Sequence, residues 1–185
     1  MKRITLEQLP SILGSLPPRP RVVASGNFAT PHTVLNALDA AVPEYVLHML
    51  NAQPGIPDRE GVEYETTFVG AGMRRSTRLS YIPCRLSLVP VLYRNATPPD
   101  VVLLHTSAQR HDTVSLGIEV NVLPAALEAC RERGGLVIVA SNPQIEILAS
   151  GTGPICSTSG TCTDGYVQKM AADGALTNGP IYDHP

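Results

Sequence analysis

Two unalternated apolar runs, Asp100–His105 (DVVLLH) and Leu136–Ala140 (LVIVA), bracket a helix-spaced segment from Pro124 to Arg133, and that order limits the fold more than anything else in the chain. A strand that is apolar on both faces needs cover on both faces, and a helix joining two such strands makes them parallel neighbours in an α/β sheet. In the helix Ala125, Ala126 and Leu127 face inward, Glu128, Arg131, Glu132 and Arg133 face outward, and Gly134-Gly135 closes it.

The same alternation starts near the N-terminus. Arg21–Gly26 (RVVASG) is a short β-branched strand ending in glycine, and Thr30-Pro31 reads as the next helix start, with Thr30 as N-cap and Pro31 in the first turn. That helix runs through Val34, Leu35, Leu38 and Ala41 and stops at Pro43; Tyr45–Leu50 (YVLHML) is the following buried strand. Ala52–Glu65 (AQPGIPDREGVEYE) is polar and broken by Pro and Gly, which predicts an exposed loop. Thr67–Gly70 and Leu79–Ile82 predict two short strands, and Leu86, Val89 and Leu92 a short helix ended by Pro98-Pro99. Val114–Val122 alternates apolar and polar residues, which predicts a strand with one oily face. Residues 1–144 therefore predict one α/β domain built on an open, largely parallel sheet with helices on both faces, followed over 145–185 by an irregular tail rich in Gly, Ser and Thr.

Composition removes several function classes. With 14 Lys and Arg against 16 Asp and Glu, and no basic run longer than Arg74-Arg75, the chain lacks the electrostatic footprint of a nucleic-acid binder. No apolar stretch is long enough to span a bilayer and the N-terminus has no signal-peptide core, so no membrane partner and a cytoplasmic location are expected. Cys84, Cys130, Cys156 and Cys162 then read as thiols. No metal site is expected: His111-Asp112 has no further ligand at suitable spacing, and Cys156 and Cys162 lack CxxC spacing. His48 and His105 sit in or at the end of apolar strands and read as hydrogen-bonded core histidines.

Ligands of an open parallel sheet gather at the carboxyl ends of its strands, which points to Ser25–Pro31 (SGNFATP). Gly26 permits close approach of backbone, and the amides that open the helix after Thr30 suit a phosphate, a carboxylate or an oxyanion; an ordinary capped helix explains the same residues equally well. Gly70-Ala71-Gly72 is a weaker feature of the same kind, more simply a tight turn. Glu119, beside Asn121 on the polar face of its strand, is a candidate catalytic carboxylate, although such residues are more often solvated or ion-paired.

SGNFATP, FVGAGMR at Phe68–Arg74, YIP at Tyr81, SLGIEVN at Ser115–Asn121, LPAALEA and NPQ occur in an order that resembles the N-terminal domain of the acetyl-CoA hydrolase/transferase family, within the class I CoA-transferases. The resemblance covers roughly two thirds of the chain, from Arg21 to Gln144. It implies transfer of CoA between small carboxylic acids, or to water, through an acyl-glutamyl anhydride and a glutamyl-CoA thioester. Acyl-CoA and small carboxylates are the implied partners, coenzyme A enters as a thioester substrate, and no bound cofactor is expected. The family glutamate and main CoA-binding loops lie in a C-terminal domain that these 185 residues do not include, so no catalytic residue is carried over and Glu119 does not match the nucleophile. The positions implied at the cleft, holding substrate without performing chemistry, are Gly26, Asn27, Ala29, Thr30, Gly70, Gly72, Ser107, Ser115 and Gly117. Two other functions fit the residues: a non-catalytic small-ligand or nucleotide-binding module, and an interaction half that self-associates or pairs with a separate C-terminal half.

Overall fold

A computed structural model describes residues 2–107, 114–117, 119–141, 144–148, 155–158, 166–170 and 176–180. The strands are β1 (Lys2–Ile4), β2 (Arg21–Ala24), β3 (Tyr45–His48), β4 (Val62–Thr66), β5 (Leu79–Tyr81), β6 (Val101–Thr106), β7 (Val114–Ser115), β8 (Leu136–Ser141), β9 (Gln144–Leu148), β10 (Ile155–Thr158), β11 (Tyr166–Met170) and β12 (Leu176–Pro180). The helices are α1 (Leu9–Leu13), α2 (His32–Ala41), α3 (Val89–Asn95) and α4 (Leu123–Glu132). Six strands form a parallel sheet in the order β8-β6-β2-β3-β4-β5, with β9 antiparallel against β8 and β1 antiparallel against β9. The strand β7 pairs with β10 in a second sheet that continues through β11 and β12. Of the predicted irregular tail, the described residues all lie in the strands β9–β12, and the rest fall outside the described ones.

Period-two alternation sorts each strand between two cores. Val22, Ala24, Tyr45, Leu47, Val62, Tyr64, Val101 and Leu103 pack with α1 and α2, through Leu9, Leu13, Val34, Leu35 and Leu38. Val23, Val102, Leu104, Val137 and Val139 pack with α3 and α4, through Val89, Tyr93, Leu123, Ala126, Leu127 and Cys130. Each Val or Leu among them, fully buried, stabilises the fold by about 1.5–3 kcal/mol, and the two helix layers confirm the predicted open α/β sheet. Pro90 is tolerated because it lies in the first turn of α3, where its missing N–H has no partner to lose. Gly134, at φ 70°, closes α4 in a left-handed conformation that glycine adopts without strain.

Four expectations fail in this part of the structure. The predicted loop Ala52–Glu65 ends as a strand, since Val62–Thr66 is β4 and its Val62 and Tyr64 are buried, while Thr67–Gly70, predicted as a strand, lies just beyond it. Charged Glu63 and Glu65 on the alternate positions hid the strand, and Glu65 is buried too. Arg59, also in the predicted loop, donates to Asp39 O at 2.8 Å, Val42 O at 2.7 Å and Pro43 O at 2.6 Å, holding the carbonyls at the end of α2. Val114–Val122 is a strand only at Val114–Ser115, because Gly117 turns the chain at φ 66°. His105, expected in the core, is exposed, whereas His48 is fully buried.

Glu65 of β4 ties three strands together beneath α3. Arg21 of β2 donates to it through Nε at 3.3 Å and Nη2 at 3.1 Å, and His48 Nδ1 of β3 lies 3.1 Å from its Oε1. Burial pushes its carboxyl up, but the hydrogen bonds to His48 and Arg21 outweigh that and leave it below the ordinary carboxylate value. A carboxyl whose native value lies below its unfolded one gives its full stabilisation above the unfolded value and loses it as pH falls through the native one. Chemical denaturation at pH 6 is expected to show Glu65→Gln destabilised by about 1–3 kcal/mol, and the gap from the wild type is expected to narrow toward pH 3.

Candidate functional site

From the central pair β2 and β6 the chain winds in opposite directions: α2 carries it from β2 to β3, and α4 carries it from β6 to β8 on the other side. The loops beyond the carboxyl ends of β2 and β6 therefore diverge at a switch point of the winding, and the crevice at such a point is where open α/β sheets accept ligands. Ser25 bonds back to β6, its N–H donating to Leu103 O at 3.0 Å, and Asn27–Ala29 forms a single 3-10 turn on the rim. Thr30 is not the helix cap that the sequence predicts. It is extended, at φ −63° and ψ 123°, as a residue before proline prefers, and α2 starts only at His32. Its hydroxyl turns back to donate to Asn27 O at 3.1 Å, and its carbonyl accepts the His32 N–H at 2.9 Å.

Four polar side chains from three segments join across this crevice. Asn51, just past β3, donates through Nδ2 to Asn27 Oδ1; Asn27 Nδ2 donates to Glu119 Oε2 at 2.8 Å; and Asn121 Nδ2 donates to Glu119 Oε1. Asn27 and Asn51 are both left-handed, at φ 46° and 48°, a conformation that asparagine tolerates better than most residues and that recurs at functional sites. Glu119 is 4% exposed, and its described partners are two carboxamides and no cation. The expectation that it is solvated therefore fails. A buried carboxylate depends on the hydrogen bonds it accepts, so the loops that supply them are held in one arrangement.

The glycines act on backbone. A Cβ at Gly26 would stand 1.9 Å from Leu50 O, one at Gly70 2.3 Å from Ala52 O, and one at Gly72 2.2 Å from Gln53 O. Gly26 thus lets the loop after β2 lie against the loop after β3, and Gly70 and Gly72 hold that loop from the other side, with Gly72 N–H donating to Ala52 O at 2.8 Å. The space the sequence reserved for a ligand at Gly26 is taken by the Leu50 carbonyl. Ala29 is buried in the 3-10 turn. Ser107, Ser115 and Gly117 come together: Ser107 N–H donates to Ser115 O at 2.9 Å, Ser115 N–H to Ser107 Oγ at 3.0 Å, and Gly117 N–H to Ser115 Oγ at 3.1 Å. Their turn leads into the Glu119 segment.

Other sequence candidates stand elsewhere. His111-Asp112 and Cys162 lie outside the described residues, as does the side chain of Cys156. The Cys130 thiol is pushed up to about 12 by burial and by Asp100, which makes it a core residue and a poor nucleophile. Among the described residues no three His, Cys, Asp or Glu gather as a metal site, and no helix is long and apolar enough to cross a membrane. Asn51 was missed in the sequence, and Asn121 was noted there only as a neighbour of Glu119. The available signal was positional, since a polar residue directly after a buried run such as YVLHML lies at a carboxyl end.

RipA from Yersinia pestis matches this chain with a TM-score of 0.60 at 15% identity over 75% of this chain and 38% of RipA. A RipA variant matches at a TM-score of 0.61 and 14% identity, again over 75% of this chain and 38% of that one. The fold is CoA-transferase-like. The 4-hydroxybutyrate CoA-transferase of Porphyromonas gingivalis aligns at a TM-score of 0.47 and 14% identity over 84% of this chain and 39% of its own. No protein-family model and no curated protein matches the sequence. In this CoA-transferase-like fold the close loop packing predicts a sharp contrast between glycines in urea denaturation. Gly26→Ala is expected to cost more than about 3 kcal/mol through a backbone clash, while Gly117→Ala, left-handed but with open space around it, is expected to cost about 1–2 kcal/mol.

Proposed function

We propose that the chain is a CoA-transferase or acyl-CoA hydrolase domain whose crevice between β2 and β6 positions a small carboxylate and the acyl end of a CoA thioester. The observation that carries this reading is the convergence of Asn27, Asn51, Glu119 and Asn121 on one rim of a CoA-transferase-like sheet, beside Ser107, Ser115 and Gly117. Carboxamide N–H groups and rim amides are the donors that a carboxylate or a developing oxyanion requires. Gly26, Gly70 and Gly72 shape the rim, and Ala29 and Thr30 keep Asn27 in place. Chemistry through a glutamyl-CoA intermediate needs a nucleophile from a second domain, in the rest of a longer chain or on another chain. Phe28, Phe68 and Tyr81, 85%, 51% and 55% exposed at the carboxyl ends of β2, β4 and β5, offer such a domain an apolar margin to cover.

The purified chain is expected to give no turnover of acetyl-CoA with succinate, yet to gain thermal stability from CoA and from acetate or succinate, because a ligand that binds only the folded state raises its melting temperature. Robust turnover would show that the chain needs no second domain. Stabilisation by ATP alone would point instead to a nucleotide-binding module, and no stabilisation by any of these compounds would remove the CoA-transfer reading.

A further inference from the structure

The two carboxamides that meet Glu119 are oriented before any ligand enters. Asn121 Oδ1 accepts the Val122 backbone N–H at 2.5 Å, which fixes that oxygen and turns Nδ2 toward Glu119. Asn27 Oδ1 accepts from Asn51, which turns the Asn27 Nδ2 toward the other carboxylate oxygen at 2.8 Å. Two donors from segments on opposite sides of the switch point thus aim at one carboxylate, one on each oxygen. The carboxylate sits on the stretch after Gly117, whose left-handed turn leaves nothing within 4 Å of an added Cβ among the described residues.

We propose that Asn27 and Asn121 form a carboxylate-binding subsite that Glu119 of the same chain already fills, so that a small carboxylic acid enters by displacing the Glu119 side chain. The fragment that Glu119 contributes beyond its Cβ is a methylene and a carboxylate, the size of acetate, which sets the class of ligand as short aliphatic carboxylates. This inference rests on reading the rim as a carboxylate site, but its test contains no CoA and leaves the transfer reaction to its own assay.

The experiment is chemical rescue of Glu119→Ala. The variant is expected to melt several degrees below the wild type, and acetate is expected to restore part of the loss in a saturable way, with no such rise from sodium chloride at equal ionic strength or from acetamide. The wild type, its subsite filled, is expected to respond far less to the same acetate. Equal rises in variant and wild type, or equal effects of acetate and chloride, would overturn the proposal. Should Glu119→Ala fail to fold, Glu119→Gln keeps the shape and sets its own amide against one of the two donors. Its Asn27 or Asn121 side-chain amide resonances are then expected to shift saturably with acetate, and unchanged resonances would overturn the proposal in the same way.

Discussion

The hydrogen bonds from Asn51 to Asn27, from Asn27 to Glu119 and from Asn121 to Glu119 hold together loops that the winding of the sheet drives apart. Strand pairing ends at the carboxyl edge, so nothing in the ladders of β2, β3 and β6 fixes the turns beyond them. Helix packing reaches them only through single apolar residues, Met49 and Ala52 toward α1 and α2, and Leu50, Leu116 and Val120 toward α3 and α4. What remains is side-chain bonding across the crevice and the close backbone contacts that Gly26, Gly70 and Gly72 allow. The left-handed backbone at Asn27 and Asn51 is strain that this arrangement sustains.

Two buried glutamates in one domain are stabilised in different ways. Glu65 lies under α3 with Arg21 as its cation and His48 beside it, a pairing that clamps β2, β3 and β4. Among the described residues Glu119 is held by two carboxamides, on loops and not on strands. Removing a partner from a buried charge is costly in both places, but only Glu119 sits where the sheet topology opens. The contrast separates a carboxylate that clamps three strands from one held at the switch point of the sheet.

The sheet was legible wherever hydrophobicity was continuous: DVVLLH and LVIVA became β6 and β8, and the Leu123–Glu132 helix fell within a residue of its predicted span. Strand β4 was not legible, because Glu63 and Glu65 interrupt its apolar pattern and the ion pair that lets Glu65 be buried comes from Arg21, distant in sequence. Val114–Val122 misled for the opposite reason. Its alternation is regular, but the positive φ at Gly117 breaks the strand and sends Glu119 inward. The position of the site could be read from Ser25–Pro31, whereas its membership could not: Asn27 meets Glu119 across 92 residues, and no local pattern encodes that contact. Thr30 was misassigned because its pre-proline backbone favours an extended conformation, which displaces the start of the helix.

A double-mutant cycle on Asn27→Ala and Glu119→Gln, read as unfolding free energy in urea, tests the link between the diverging loops most directly. If the two side chains join the segments on either side of the switch point, the double variant will differ from the sum of the single effects by about 1–2 kcal/mol. Additivity within about 0.4 kcal/mol would contradict it, and would mean that the loops are held by backbone packing alone.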